Sequence, residues 1–279
     1  MSGTHDTSSL PSGITFVGGG NMARSLVAGL VRAGLPAAAI EVVEPQAALR
    51  QTLQQEYGVR TVGSVAAAAL DGRVVVLAVK PQVMAAVCTE LVPRLAAGTL
   101  AVSIAAGITT TALRGWLGAP AVLVRAMPNT PALLGAGMTG LYAGPEVDND
   151  NRRAAQAILA GAGQTRWIDD EALMDAVTAV SGSGPAYVFA LAEAMEDAAR
   201  AQGLADDAAR QMVVQTVLGA ARMLAESGQS AGALRQAVTS PNGTTQAALE
   251  ALAGGSFHQL VGTAVAAAAR RGRELAGGS

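Results

Sequence analysis

The stretch ITFVGGGNMA near the start of the chain constrains the possible folds more than any other feature of the sequence. Four residues of strand character lead into Gly18, Gly19 and Gly20, and a helical pattern begins at Asn21. The spacing Gly18-x-Gly20-x-x-Ala23 matches G-x-G-x-x-G/A, which combines a tight turn, room for a phosphate and close packing of strand and helix. A purely structural glycine turn is the alternative. The context predicts a backbone cradle for a dinucleotide pyrophosphate at a helix N-terminus.

The first half of the chain alternates short apolar runs with helical patterns. Gly34 and Gly58 follow two of these patterns, as glycines do at helix C-termini. Pro45 and Pro81 are expected in the first turns of two helices. The near-continuous apolar run RVVVLAV is typical of a central parallel strand that is covered on both faces. This rhythm predicts a Rossmann-type, doubly wound α/β sheet in a domain of residues 13–169. Strands are expected at residues 14–17, 40–43, 73–79, 99–104, 121–127 and 138–143.

The β pattern disappears after about residue 170. Helical segments there begin near Pro185, at acidic residues or at threonines, and most of them stop at glycines. Their faces are rich in small residues and do not shield themselves in pairs. We therefore expect residues 170–279 to form an all-helical domain that makes a dimer interface. The polar residues 1–12 are expected to be a disordered tail.

Composition excludes several classes of protein. The 279 residues carry a formal net charge of −2 without blocks of like charge, which argues against nucleic acid as a partner. Cys88 is the only cysteine, so an internal disulfide and a multi-cysteine metal site are excluded, and no metal is expected. The chain shows neither a long uncharged apolar run nor a secretory signal. These features favour a protein of the reducing cytoplasm.

Further candidate residues follow the ends of the predicted strands, because ligands of doubly wound sheets bind outside the carboxyl ends of strands. Glu44 ends the second strand, where an acid accepts hydrogen bonds from ribose hydroxyls and repels a 2′-phosphate. This favours NADH over NADPH, although Glu44 could also be an ordinary charge at a strand end. Lys80 could hold phosphate or ribose, or be solvated. The candidates for cofactor binding from the sequence are Gly18, Gly19, Gly20, Asn21, Met22, Ala23, Glu44, Ala78, Val79, Lys80, Pro81, Ile104, Ala105 and Ala106.

A nicotinamide domain implies hydride transfer, and the residue types of the second half limit the reaction. Reduction of a ketone usually recruits a lysine, histidine or tyrosine as proton donor. The helical half has no lysine, and its only histidine and tyrosine are His258 and Tyr187. This argues against a hydroxyacid dehydrogenase. An iminium substrate, which carries its own proton and becomes an amine on hydride addition, suits the chain better.

Several motifs together resemble those of the pyrroline-5-carboxylate reductases. They are GGGNMA, AVKP, MPNTP at residues 127–131, DAVTAVSGSGPAY, and VTSPNGTTQAAL at residues 238–249, in the same order along the chain. The resemblance covers almost the whole chain after the tail. It implies reduction of a cyclic imine acid to L-proline by NADPH or NADH. It also implies a Rossmann domain followed by a helical domain that forms intertwined homodimers, which often assemble into decamers.

The resemblance also implies a substrate site. Ser240, Thr244 and Thr245 are expected to contact the substrate, with the Thr245 hydroxyl near the ring nitrogen as the candidate catalytic group. Glu171 matches a family acid near the substrate, and Asn129 of the MPNTP motif joins the candidates for cofactor binding. Local chemistry agrees with a carboxylate receptor, because Thr244 is a suitable N-cap and would leave the amides of Gly243, Thr244 and Thr245 pointing outward.

One position departs from the family pattern. Asn242 stands where the family usually has the first of two glycines, and asparagine tolerates a left-handed backbone better than other non-glycine residues. We expect the turn to survive. Two other functions stay open at this stage, namely a reductase of another cyclic imine acid such as piperideine carboxylate, and a non-catalytic dinucleotide-binding redox sensor.

Overall fold

The computed structural model describes residues 10–118 and 121–277. Most of the expected tail, residues 1–9, lies outside the described residues. The chain divides into two compact units, of which the first extends to Ser183 and includes the residues from Ala268 onward, and the second comprises Gly184–Ala267. The last strand ends at Trp167. The change from mixed to helical structure therefore falls beside the expected boundary at residues 169/170, whereas the two compact units divide farther along the chain.

One sheet of eight strands forms the centre of the first unit, among the residues that the structure describes. The strand order is β3-β2-β1-β4-β5-β6-β7-β8, and every pair is parallel except the antiparallel pair β6–β7. The predicted Rossmann-type doubly wound sheet is thereby confirmed. The strands are β1 (Ile14–Val17), β2 (Ile40–Val43), β3 (Arg60–Val62), β4 (Val74–Leu77), β5 (Thr99–Ser103), β6 (Ala121–Met127), β7 (Gly137–Ala143) and β8 (Gly163–Trp167).

Helices connect the strands in the first unit and make up the second unit. A π-helical turn, Thr178–Gly182, leads from the first unit into the helical unit. The helices are α1 (Asn21–Arg32), α2 (Ala47–Tyr57), α3 (Pro81–Leu91), α4 (Thr110–Leu117), α5 (Asn149–Ala160), α6 (Met174–Val177), α7 (Gly184–Ala201), α8 (Asp206–Glu226), α9 (Ala231–Ala237), α10 (Thr244–Gly254) and α11 (Phe257–Gly277).

The core of the first unit lies in two layers, one on each face of the sheet. Alternate residues of a strand point to opposite faces, so Val74 and Val76 join one layer while Val75 and Leu77 join the other. Helices α1, α2 and α5 cover the first layer, and α3 and α4 cover the second. Both faces are buried, which explains why the central strands read as continuous apolar runs.

Two local expectations were wrong. The short strand β3 was not predicted, because Arg60, Thr61 and Val62 are exposed or half-buried at the edge of the sheet and carry no apolar pattern. Helix α2 was expected to open with Pro45 in its first turn, but it begins at Ala47 with Gln46 as N-cap. Gln46 is extended (φ −79°, ψ 114°), and its backbone amide donates to the Glu44 side chain at 2.9 Å, so the helix begins after it.

The helical unit buries little apolar surface of its own. Ala209 and Val213 are its only buried apolar residues, and all residues of this unit are described. Large apolar side chains are instead exposed on its helices, among them Phe189 (67% exposed) and Leu260 (67%). Exposed apolar surface of this extent is typical of an interaction surface. No helix within residues 10–118 and 121–277 has the length and apolar character needed to cross a membrane.

Cys88 on α3 offers a test of the second core layer. Its side chain is fully buried, and burial raises the pKa of the thiol to about 11 from the ordinary value of 9.0. The folded state favours the neutral thiol. The contribution of Cys88 to the free energy of unfolding is therefore fully present below pH 9 and is lost as the pH rises toward 11. Between pH 8 and pH 10.5 the free energy of unfolding of the wild type should fall about 2 kcal/mol more than that of Cys88→Ala.

Urea unfolding of both proteins at the two pH values measures this difference. Lysine, tyrosine and arginine titrations are common to the two proteins and cancel in the comparison. Equal losses of stability in the wild type and in Cys88→Ala would contradict the burial of the thiol.

Candidate functional site

The candidate cofactor residues lie along one edge of the sheet. Strands β2, β1, β4, β5 and β6 are neighbours and run parallel, so the residues that follow them lie side by side at the carboxyl edge. Backbone pairing continues past the strand ends, with N–O distances of 2.8 to 3.1 Å from Gly18 to Val43, from Ala78 to Val17 and from Ile104 to Leu77. The segments that begin at Gly18, Glu44, Ala78 and Ile104 are thus brought together in the first unit.

The glycine-rich loop forms an open turn between β1 and α1. Gly18 has a φ of +105°, and a Cβ there would lie 2.7 Å from the carbonyl oxygen of Ala78, so only glycine fits. A Cβ at Gly20 would meet nothing within 4 Å, so this side of the loop is open. Gly20 is the N-cap of α1 and provides no side-chain cap.

The first turn of α1 leaves donors for an anion. The amides of Asn21, Met22 and Ala23 have no acceptor among the described residues. Asn21 and Met22 are exposed and half-buried respectively, while Ala23 is buried against the core. Free amides at the positive end of a helix, beside the open space at Gly20, fit the diphosphate of a dinucleotide.

Glu44 is held rigidly beside this loop. Its side chain is 6% exposed, and its two carboxylate oxygens accept backbone hydrogen bonds of 2.9 Å from Gly19 and Gln46. Arg50 does not neutralise the carboxylate, because its Nη1 donates to the main-chain oxygens of Glu44 and Pro45. A fixed negative charge therefore lies at the end of β2, and each carboxylate oxygen can accept a further hydrogen bond.

The segments after β4 and β5 present mainly backbone and small side chains. Lys80 is exposed and forms the N-cap of α3, and Pro81 is the first residue of that helix, as its type favours. Ala78 and Val79 are half-buried between the strand and this cap. After β5, Ala105 is buried while Ile104 and Ala106 are half-buried, so the backbone there is accessible to a flat group.

Asn129 lies beyond the end of β6 and joins three segments of the first unit. Its Oδ1 accepts a 2.8 Å hydrogen bond from the amide of Met138 at β7. Its Nδ2 donates to the carbonyl oxygen of Ser181 at 3.1 Å, in the π-helical turn. The side-chain amide thus holds that turn at the carboxyl edge of the sheet. Gly182 packs there against Met127, where a Cβ would meet Met127 Cε at 2.5 Å.

Glu171 belongs to a half-buried ionic cluster in the first unit. Its carboxylate accepts from the amide of Thr110 at 2.7 Å and from the Thr110 hydroxyl at 2.6 Å, at the start of α4. Arg125 of β6, only 5% exposed, approaches Glu171 at 3.2 Å and Asp175 at 3.5 Å. These contacts tie α4, β6 and α6 together.

The SPNGTT segment forms a tight turn before α10 in the helical unit. Asn242 has a φ of +56°, so it adopts the left-handed conformation that a glycine would adopt without strain. The expected N-cap, Thr244, was wrong, because Gly243 is the N-cap and Thr244 is the first helical residue. Position 243 itself requires glycine, since a Cβ there would lie 2.4 Å from Ser240 Oγ.

The first turn of α10 also has open amides. The amide of Gly243 donates to the carbonyl of Ser240 at 3.1 Å, whereas the amides of Thr244 and Thr245 have no acceptor among the described residues. Ser240 and Thr244 are exposed, and Thr245 is half-buried. Three residues with hydroxyl groups and two open amides thus lie at one helix N-terminus, which suits a carboxylate.

Comparison with known proteins identifies the family. The family model described as pyrroline-5-carboxylate reductase dimerisation matches residues 171–275, and the one described as NADP oxidoreductase, coenzyme F420-dependent, matches residues 13–107. The pyrroline-5-carboxylate reductase of Pseudomonas aeruginosa is 49% identical over 263 residues, which cover 94% of this chain and 96% of the relative. This chain belongs to the pyrroline-5-carboxylate reductase family.

Solved structures of the family agree with the fold. A pyrroline-5-carboxylate reductase from Coxiella burnetii has 43% sequence identity and a TM-score of 0.90, and the match covers 95% of this chain and 98% of that one. A Plasmodium falciparum pyrroline carboxylate reductase with NADP bound has 28% identity and a TM-score of 0.84, with coverage of 95% and 98%. The helical unit, with its exposed apolar surface, falls inside the segment matched by the family's dimerisation model.

Sequence reasoning missed three groups, which lie in the ionic cluster at Glu171, in the turn held by Asn129 and in the turn before α10. Arg125 was expected only as part of a strand, and an arginine inside an apolar strand is itself a signal of a buried acidic partner. The Ser181 carbonyl gave no signal, because a π-helical turn has no known sequence pattern. Gln246 was overlooked four residues after Asn242, although glutamine in the first turn of a helix often reaches back to a preceding amide.

The two outer glycines of the loop should separate folding from binding. Gly18→Ala should lower the free energy of unfolding by more than about 2 kcal/mol, because it combines a left-handed φ with a backbone clash. Gly20→Ala should change stability by less than about 1 kcal/mol, yet weaken dinucleotide binding about tenfold or more, because its methyl group enters the open space.

Urea unfolding and fluorescence titration with NADH and NADPH measure the two effects. The prediction fails if Gly20→Ala binds dinucleotide as the wild type does, or if Gly18→Ala is as stable as the wild type.

Proposed function

We propose that this chain reduces L-1-pyrroline-5-carboxylate to L-proline with NADPH or NADH, the last step of proline biosynthesis. The observation that supports this most is the 49% identity to a pyrroline-5-carboxylate reductase over nearly the full length of both chains. Such a reaction needs a dinucleotide cradle and a carboxylate receptor, and the open N-termini of α1 and α10 support the assignment of one to each unit.

The residues of the carboxyl edge suit a nicotinamide dinucleotide. The amides of Asn21, Met22 and Ala23 would bind the diphosphate beside Gly18 and Gly20, where the loop is open. Glu44 would accept from the adenosine ribose, and Lys80 would lie near the phosphate or ribose. The remaining candidates for contact are Gly19, Ala78, Val79, Pro81, Ile104, Ala105, Ala106 and Asn129. When bound, the cofactor supplies the hydride that reduces the carbon–nitrogen double bond.

The N-terminus of α10 would bind the substrate carboxylate. The amides of Thr244 and Thr245 and the hydroxyl of Ser240 supply the donors, and Gly243 allows the carboxylate to approach the backbone. The Thr245 hydroxyl would orient the ring nitrogen and is the proposed catalytic group. Glu171 is proposed to lie near the substrate, because it matches an acid of the family motif.

The chain needs no strong proton donor for this reaction. Hydride addition to an iminium carbon yields the amine directly, so the proton is already on the substrate nitrogen. A hydroxyl such as that of Thr245 has no suitable pKa for a general acid, but it can hold that N–H in the reactive orientation. This matches a helical half that has no lysine.

We further propose that the chain works as a homodimer through residues 170–279, and that dimers could assemble into decamers. The support is the exposed apolar surface of the helical unit and the match of residues 171–275 to a dimerisation family model. The working domains proposed are residues 13–169 for the dinucleotide and 170–279 for substrate binding and dimerisation. The composition and the single cysteine favour the cytoplasm as the compartment.

A steady-state assay with the purified protein tests the proposed function. We expect pyrroline-5-carboxylate to cause oxidation of NADH or NADPH, with a higher kcat/KM than piperideine carboxylate. Thr245→Val removes the hydroxyl and should lower kcat/KM about tenfold or more. The two side chains have a similar shape, so cofactor affinity should change less than twofold. Thr263→Val on α11, whose hydroxyl donates to Gln259 at 2.9 Å, is the matched control.

Three outcomes would contradict parts of the proposed function. Absence of turnover with both cofactors would leave a dinucleotide-binding protein without this activity. A higher kcat/KM with piperideine carboxylate would point to the other cyclic imine. Full activity of Thr245→Val would remove Thr245 from the mechanism.

Glu44 should set the choice between the two cofactors. Its fixed charge opposes a 2′-phosphate, so Glu44→Ser should raise the ratio of kcat/KM for NADPH to that for NADH about tenfold. The ratio is measured within one protein and is insensitive to any loss of folded enzyme. Glu90→Ser, which removes an exposed acid from α3, is the control and should leave the ratio unchanged. An unchanged ratio in Glu44→Ser would assign Glu44 to holding the loop alone.

A further inference from the structure

The turn before α10 contains a conformation that its residue type does not favour. Asn242 has a φ of +56°, and Asn242, Leu70 and Ser256 are the non-glycine residues with positive φ in the described part of the chain. A left-handed conformation is unfavourable for an ordinary residue, and less so for asparagine. The turn must therefore be held by contacts that a glycine at this position would not need.

Gln246 provides such a contact. Its Oε1 accepts a 2.8 Å hydrogen bond from the backbone amide of Asn242, so a side chain in the first turn of α10 reaches back to the residue before the N-cap. Its Nε2 donates to Glu250 Oε1 at 2.8 Å, one turn farther along the same helix. The second hydrogen bond fixes the amide plane and points the oxygen toward Asn242.

Other contacts of the turn act on different atoms. The amide of Gly243 donates to the carbonyl of Ser240 at 3.1 Å, and the Ser240 hydroxyl packs where a Cβ of Gly243 would be. Neither contact involves the amide of Asn242. Among the hydrogen bonds of the described residues, the one that Asn242 donates to Gln246 Oε1 is therefore specific to the left-handed residue.

We infer that Gln246 is a positioning residue for the substrate-binding turn, and that it compensates for asparagine at position 242. The inference rests on the proposed function, because the turn carries Ser240 and the open amides of Thr244 and Thr245. Gln246 does not itself need to touch the substrate. It holds Asn242 left-handed, and this keeps the donors of the turn directed toward a carboxylate.

The inference predicts a dependence between positions 242 and 246. Gln246→Met keeps the length and helix propensity of the side chain but removes its acceptor. It should raise KM for pyrroline-5-carboxylate about 3- to 10-fold, with kcat and KM for the cofactor changed less than twofold. In the Asn242→Gly background the same substitution should change KM for the substrate less than twofold, because glycine needs no support for a positive φ.

Glu250→Ala is the matched control. It removes the other hydrogen bond of Gln246 and leaves the acceptor for Asn242 in place, so its effect on KM for the substrate should be smaller than that of Gln246→Met. An unchanged KM in Gln246→Met would overturn the inference. An equal rise of KM in the wild-type and Asn242→Gly backgrounds would overturn it as well.

Thermal unfolding separates this inference from the proposed function. It compares the wild type, the two single variants at positions 242 and 246, and their double variant. Gln246→Met should lower the Tm more in the wild-type background than in the Asn242→Gly background, whether or not the protein reduces pyrroline-5-carboxylate. A wild type without turnover would overturn the proposed function, and the Tm comparison would then decide whether Gln246 supports the turn. Equal Tm changes in the two backgrounds would overturn that support.

Discussion

Backbone hydrogen bonding on both sides of β1 is the interaction on which the first unit depends. β1 pairs with β2 on one side and with β4 on the other, so the chain crosses the sheet after β3 and continues in the opposite direction. Such a reversal leaves a crevice at the carboxyl ends of the strands. Gly18 follows β1 at this point and approaches the backbone of Ala78. The strand order, more than the glycines themselves, therefore determines where the glycine-rich loop lies.

The two units achieve burial in different ways. The sheet is covered on both faces, and its two core layers include nearly all of the buried apolar side chains of the described residues. The helical unit has two buried apolar residues, Ala209 and Val213, and exposes large side chains on most of its helices. Small residues along those helices permit close approach of another chain. Association with another chain thus buries the apolar side chains of the second unit, whereas the sheet and its helices bury those of the first unit without a partner.

The chain has two helix N-termini of the same design. Helices α1 and α10 both have a glycine as N-cap and no side-chain cap, and the first amides of both are open. The preceding turns differ in how they are held. Gly18 takes its positive φ without strain, whereas Asn242 relies on a hydrogen bond to Gln246. A side chain on the helix thereby supports a backbone conformation that glycine would supply unaided.

Sequence reasoning was most successful where one residue type has one physical use. The pattern Gly18-x-Gly20, the apolar run of β4 and Pro81 at a helix start all correspond to the observed elements. It failed where partners decide the structure. The edge strand β3 has no apolar pattern, and the N-cap of α10 is Gly243, which has no side chain, and not Thr244, whose hydroxyl suits a cap.

By itself the sequence determined the class of fold, the order of the segments, the family and the types of donor at both helix N-termini, because these follow from local pattern and from residue chemistry. Only the tertiary structure decided which strands are neighbours, and so which segments meet at the carboxyl edge. It also showed that the Glu44 carboxylate is held by Gly19 and Gln46, and that Gln246 contacts Asn242. Those contacts depend on the distances between folded segments, which no local pattern encodes.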